Sequence, residues 1–384
     1  MQVVFWISFA VLFYTYLGYG LLLLVLTAFV KRKGTKTHPE LPPLTLVVPA
    51  FREAAVIEKK IQNSLSLHYP EDRLFFLFVT DGPDDGTNAI IRQYPQVSLL
   101  AGEERRGKTA AINRAMLRVG TPIVVFTDAN TLLHPDCLLK MMPHYADQCI
   151  GGVAGEKRIF DREHSAVGTG ERLYWCYESL LKKAESGFYS VVGAAGELFS
   201  IRTSLFQPVS EHVILDDFVL SARVCLQGYR FVYEEGAFAT ETSSLSFAEE
   251  RKRKTRISAG CFQALLMLKG LLNPFLNFRL AFQYLSHRVF RWVFCPLCLP
   301  LFFLANAWLA LTNSSTFFDL VLAVQIMFYL AALAGMALRK HRLPQLLQVP
   351  HYVVFMNLSL YAGFWRFVTR RQTVMWAKAV RKIF

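Results

Sequence analysis

The stretch Leu44-Thr45-Leu46-Val47-Val48-Pro49-Ala50-Phe51-Arg52-Glu53 decides the fold. Leu44–Val48 is a continuous apolar run that Pro49 is expected to stop, the pattern of a strand buried on both faces of a parallel sheet. Downstream, Ile57, Ile61 and Leu65 recur at four-residue spacing between Ala54 and Ser66, which predicts a helix with one apolar stripe to lay on that sheet. Leu74–Thr80 then reads as a second strand, running into Asp81-Gly82-Pro83-Asp84-Asp85-Gly86-Thr87. The same alternation repeats in Val97–Leu100, the helical pattern Gly107–Val119 and the strand Ile123–Phe126, which ends in Thr127-Asp128-Ala129-Asn130. A βαβ repeat of this kind predicts an α/β domain, a mostly parallel sheet with helices on both faces. Ligands of such sheets bind beyond the carboxyl ends of the strands, so Asp81 and Asp128 are expected to face one crevice.

Outward from this core the chain becomes apolar. It has 384 residues, 53% of them hydrophobic, too many for a soluble protein of that size. Val3–Val30 carries no charge and is long enough to span a bilayer. A cleaved signal peptide fits less well, because no basic segment precedes the run and no small-residue cleavage site follows. Trp292–Thr312, Leu320–Leu338 and the weaker Val349–Trp365 are further apolar stretches. The expected organisation is a membrane helix over 1–30, a globular domain over 31–260, amphipathic interface helices over 261–288, membrane helices over 289–368 and a basic tail over 369–384. Lys31, Arg32 and Lys33, Arg288 and Arg291, and Arg339, Lys340 and Arg342 flank the apolar segments, and the positive-inside rule then puts the domain in the cytoplasm of a cell-membrane protein. Spanning by the last stretch would carry Arg370 and Arg371 to the wrong side, so an interfacial or re-entrant helix is expected there. The net charge of +13 collects near membrane ends and in Arg251–Arg256, pointing to anionic lipid headgroups. No nucleic-acid reader motif is present. The seven cysteines show no metal-ligand spacing in the globular part, and free thiols are expected.

Several turns carry chemistry. Asp128 and Asn130 at a strand end could hold Mg²⁺ or Mn²⁺, since hard cations take carboxylate and carbonyl oxygens; an Asx turn would use the same residues. Arg105-Arg106-Gly107-Lys108 before a helix offers cations and free N–H groups to phosphate. Asp216-Asp217 precedes the helix-like run Phe218–Leu226, where the pair could interact with the helix dipole or supply a general base.

In order, these segments resemble the motifs of the second glycosyltransferase family, which includes cellulose, hyaluronan and poly-N-acetylglucosamine synthases. The matching runs are 47–53, 81–87, 106–113, 127–130, Gly193-Ala194-Ala195-Gly196-Glu197, 215–218 and 253–257. The resemblance covers about 44–260 and implies a GT-A fold, a nucleotide-diphosphate sugar donor with uracil or guanine as base, and inversion at the anomeric carbon. It implies that Glu53 and Asp81 hold the nucleoside, Lys108 the diphosphate side and Asp128 the metal, with Asp217 as base and Asp216 beside it. Pro49, Asp84, Asn113, Asn130, Gly196 and Glu197 would line the substrate site, and Arg253 and Arg256 would belong to the family's Gln-x-x-Arg-Trp motif. Three departures stand out. Pro83 replaces a serine, Arg253 stands at the glutamine, and Ile257 stands at the tryptophan that bounds the acceptor terminus.

The expected function is extension of a polysaccharide at the membrane, with transfer of one sugar to a lipid carrier or glycolipid as the alternative. A non-catalytic scaffold would have no need of Asp81, Asp128 and Asp217 together.

Overall fold

A computed structural model of the chain describes residues 1–30, 41–160, 166–244, 246–338 and 345–372. The basic runs at 31–33 and 339–342 and the tail from 373 lie outside the described residues.

Among the described residues one eight-stranded sheet forms: β1 (Leu44–Ala50), β2 (Leu74–Thr80), β3 (Ser98–Leu100), β4 (Ile123–Phe126), β5 (Thr131–Leu133), β6 (Ile150–Phe160), β7 (Phe199–Arg202) and β8 (Arg230–Thr242), in the order β3-β2-β1-β4-β7-β6-β8-β5. The half built from β1 to β4 is parallel, as expected. The other half is mixed, because β7 runs antiparallel to both β4 and β6, and β5 antiparallel to β8. β6 pairs parallel with β8, so four of the seven pairings are parallel and the sheet is mostly parallel as expected, with its antiparallel pairs in the second half.

Side-chain alternation divides β1 between two cores. Leu44, Leu46, Val48 and Ala50 pack with Ile57 and Ile61, whereas Val47 packs with Ala111 and Ile112 on the opposite face. The chain moves from β1 out to β3 and then returns past β1 to β4, which leaves a switch point, and thus a crevice, at the carboxyl ends of β1 and β4.

Pro49 does not stop β1, which runs on to Ala50. Val47 O accepts from Thr127 N and Ala50 O from Asp81 N, so alternate residues face β4 and β2. Pro49 falls on the β4 side, beyond the last β1–β4 pair, Val47 with Phe126. Its missing N–H therefore breaks no ladder bond and lets the two strands part where the crevice opens.

Among the described residues three helices are long and apolar enough to cross a membrane: Gln2–Ala28, Pro274–Thr312 and Thr316–Ala337. The chain is accordingly a membrane protein with one N-terminal and two C-terminal candidate spans among the described residues, and the last apolar stretch, expected to be interfacial or re-entrant, is not one of them. The fourth apolar stretch lies in the helix Gln345–Val368, which lies along the helix Phe247–Met267. A Cβ on Gly363 would meet Ser258 Cβ at 2.4 Å, and Phe364 meets Phe262 edge-on at 5.1 Å. Part of the basic surface expected to meet headgroups is turned inward: Arg253, Lys254, Arg288 and Arg291 are buried or nearly so. All seven cysteines are free.

Candidate active site

The pocket at the strand ends is built around Lys108, the first residue of the helix Lys108–Met116. Its Nζ lies 2.6 Å from Asp128 Oδ1 and 3.8 Å from Asp216 Oδ2. The helix start is fixed by Asp81, whose two carboxylate oxygens accept from Arg106 N at 3.0 Å and Gly107 N at 2.8 Å. Gly107 has φ 100, a conformation side-chain-bearing residues avoid, and this lets its N–H turn toward Asp81. A Cβ on Gly196 would sit 3.0 Å from Lys108 Nζ and 3.1 Å from Asp217 Oδ2. The Gly193–Glu197 loop thus lies directly against both groups, and a side chain at Gly196 would have to displace one of them. Asp128, Asp216 and Asp217 meet around one lysine, and Asp81 fixes the start of the helix that carries it.

Carboxylates outnumber cations here, and the charges register it. Burial would pull the Lys108 pKa down, but Asp128, Asp216 and Asp217 outweigh that and raise it, so Lys108 stays charged. Asp217 is pushed up to about 7 by burial and then by the charge of Asp216. Its Oδ1 accepts from Phe218 N at 2.8 Å, leaving Oδ2 toward Gly196 and Lys108. Asp216 Oδ2 is buried without a hydrogen-bond partner. Both aspartates begin the helix Asp216–Leu226, so the dipole and general-base readings coexist. Arg256 feels Asp216, Asp217 and Asp128, and burial lowers its pKa against them. It forms no ion pair with a described residue.

The Asp128 turn is held from behind by Lys60, which sequence reading missed. Fully buried, Lys60 donates to Thr127 Oγ1 and to Thr131 O, each at 2.9 Å, and Thr127 Oγ1 reaches Glu197 O at 2.8 Å. Burial lowers the Lys60 pKa to about 7. Its sequence signal is its place beside Ile57, Ile61 and Ser64 on the buried face of the helix Ile57–Leu65.

Other expected site residues are engaged elsewhere. Asn130 Nδ2 donates to Glu241 at 3.2 Å. Asn113 is spent on the Val209 backbone, donating to O at 2.7 Å and accepting from N at 3.2 Å. Asp84 accepts from Asn88 N at 3.0 Å, which is turn chemistry. Arg253 is held among Glu171, Glu250 and Glu241. Glu197 is held by Lys157, which also pairs with Glu241; neither partner was foreseen. Glu53 N donates to Thr87 Oγ1 at 3.0 Å, placing Glu53 against the Asp81–Thr87 turn. Among the described residues no group of three His, Cys, Asp or Glu side chains is arranged to hold a metal. Asp128 nevertheless fits a divalent cation, because the pocket's carboxylates exceed Lys108 in charge.

A mixed sheet whose parallel half ends in an acidic pocket is the architecture of a GT-A glycosyltransferase. Residues 42–260 match the family described as "Glycosyltransferase like family 2", and the chain belongs to that family. It is 21% identical over 352 residues to the "Probable glycosyltransferase YdaM" of Bacillus subtilis, covering 87% of this chain and 82% of that protein. It is 28% identical over 233 residues to the "Beta-monoglucosyldiacylglycerol synthase" of Synechocystis, covering 55% of this chain and 47% of that one. To the "Poly-beta-1,6-N-acetyl-D-glucosamine synthase" of Staphylococcus aureus it is 24% identical over 235 residues, covering 59% and 56%. The alignments thus span about half the length of the latter two relatives. Among solved structures, "Mannosyltransferase PcManGT from Pyrobaculum calidifontis in complex with GDP-Man and Mn2+" superposes with a TM-score of 0.70 at 24% identity, covering 96% of this chain and 99% of that one. This likeness shows the GT-A fold.

Proposed function

We propose that the enzyme transfers one sugar from a UDP- or GDP-linked donor to a lipid acceptor at the membrane, with inversion. The observation that carries this is the convergence of Asp128, Asp216 and Asp217 on Lys108, with the Gly196 backbone against Lys108 and Asp217. In the reaction, Asp217 takes the proton of the acceptor hydroxyl and the freed oxygen attacks the anomeric carbon. The bond to the donor's diphosphate breaks, and its electron pair leaves on the diphosphate oxygen. Lys108 faces that growing charge. A divalent cation, Mg²⁺ or Mn²⁺, held by Asp128 would add further charge neutralisation when bound. Asp81 acts on the nucleotide side by holding the Arg106–Gly107 amides in place.

A lipid acceptor is favoured over a growing chain by the tail of the motif region. Arg253 is immobilised by Glu171, Glu250 and Glu241, Ile257 supplies no aromatic platform, and two candidate spans follow the domain. Extension of a polysaccharide is the second reading, supported by the likeness to the S. aureus synthase. The domain organisation proposed is that given above from sequence, with the domain in the cytoplasm. Purified protein in nanodiscs, given a panel of labelled sugar nucleotides, should make a product one sugar larger than its acceptor. Long chains would establish the second reading, and no turnover of any donor would refute transfer.

A further inference from the structure

The helix Ala166–Phe188 carries Glu171, Trp175, Glu178 and Lys182 along one buried or half-buried stripe facing the sheet. Glu171 is paired with Arg253, and Glu178 with Arg288 and Arg291. Lys182 is different. It is only 4% exposed, yet forms no hydrogen bond or ion pair with any described residue. Its Nζ lies 5.5 Å from the centre of the Trp175 ring, which Lys157, the partner of Glu197, also approaches, at 4.8 Å. The indole Nε1–H is itself buried without a hydrogen-bond partner. The Lys182 ammonium and the Trp175 indole therefore lie against one another, beside Lys157, the partner of Glu197. Groups that only donate are costly to bury unless an acceptor oxygen meets them.

We propose that Lys182 and Trp175 form an acceptor subsite that binds a phosphate oxygen of a lipid acceptor beside Asp217. The proposal rests on the transferase reading and names its substrate class. The missing contact selects the phosphate. Carboxylates act on Lys182 through space, but none lies within hydrogen-bond distance of it, and a phosphate oxygen supplies that charged acceptor where a neutral group does not. A lipid source follows from position. Leu181 and Ala184, neighbours of Lys182 on the helix, pack with Tyr19 and Leu23 of the N-terminal span, which sets Lys182 where a headgroup would enter. The two lysines also divide the pocket. Lys108 faces Asp128 and Asp216, while Lys182 feels Glu197 and Asp217, on the side of the base. Burial lowers the Lys182 pKa despite the Glu178 charge, as expected of an ammonium awaiting its partner.

The test is sugar transfer in phosphatidylcholine nanodiscs doped with phosphatidylglycerol, a sugar-bearing polyprenyl phosphate, diacylglycerol or a neutral oligosaccharide. Transfer should occur to a phosphate-bearing lipid. K182M should raise the acceptor KM about tenfold or more, and K182R should recover most of it. W175F should cost less, about threefold to tenfold. K183M, on the solvent side where Lys183 pairs with Glu235, should leave the acceptor KM unaltered. Nucleotide binding by each variant verifies folding. Transfer only to diacylglycerol or the oligosaccharide, or a native acceptor KM in K182M, overturns the subsite while leaving the transferase reading standing. Failure of the native protein to consume any donor, even by hydrolysis, refutes the transferase reading and the subsite with it.

Discussion

Two buried clusters of charge use the same residue types to opposite ends. At the seam between domain and membrane helices, Glu178 meets Arg288 and His287 at 3.3 Å and also pairs with Arg291. Glu185 takes His287 Nδ1 at 2.7 Å and the Tyr19 hydroxyl at 2.8 Å. Every carboxylate there has a donor, and the Arg288 and Arg291 charges lower the Glu178 pKa in spite of burial. At the strand ends, Asp128, Asp216 and Asp217 share Lys108, and Asp217 is driven up to about 7. A balanced cluster fixes geometry, whereas an unbalanced one is built to receive a cation or a proton.

Breaking each cluster should therefore have different consequences. The largest effect belongs to D217N, which should lower the turnover rate about 10²- to 10⁴-fold while donor affinity is kept; full activity would remove Asp217 as base. Next is the seam. E178Q leaves Arg288 and Arg291 without their carboxylate and should cost about 3–5 kcal/mol of stability, read as a fall in Tm in detergent with unaltered donor affinity in the folded fraction. D128A should weaken donor binding about tenfold or more in the presence of Mn²⁺, measured by calorimetry, with native and variant alike once chelator is added. If chelator does not weaken donor binding by the native protein, Asp128 holds no cation. Smallest is D84N, which alters only a turn hydrogen bond and should shift stability by no more than about 1 kcal/mol with donor affinity unaltered.

The parallel half of the sheet was legible because its strands are apolar runs separated by periodic helices, and β2 and β4 fall at the expected residues. The mixed half escaped because β6 and β8 carry glycines and charges such as Lys157 and Glu241, whose partners come from far along the chain. Asp128, Asp216, Asp217 and Lys108 were readable as motif residues, and the fold brings them together. Arg253, Asn113, Asn130 and Asp84 have partners that the sequence did not reveal, for one physical reason. Each satisfies a buried or turn polar group whose position only the tertiary structure reveals. Lys60 and Lys182 were missed because a lysine among helical apolar positions reads as an exposed exception.

The pH dependence of kcat/KM, compared between the native enzyme and D216N, tests the central assignment most directly. Asp217 must be ionised to accept a proton, so activity should fall about tenfold per unit as pH drops below about 7. Removing the Asp216 charge removes part of what raises that pKa, and the acid limb should move to lower pH. A flat profile, or an inflection that D216N leaves in place, would contradict the assignment of Asp217 as the base.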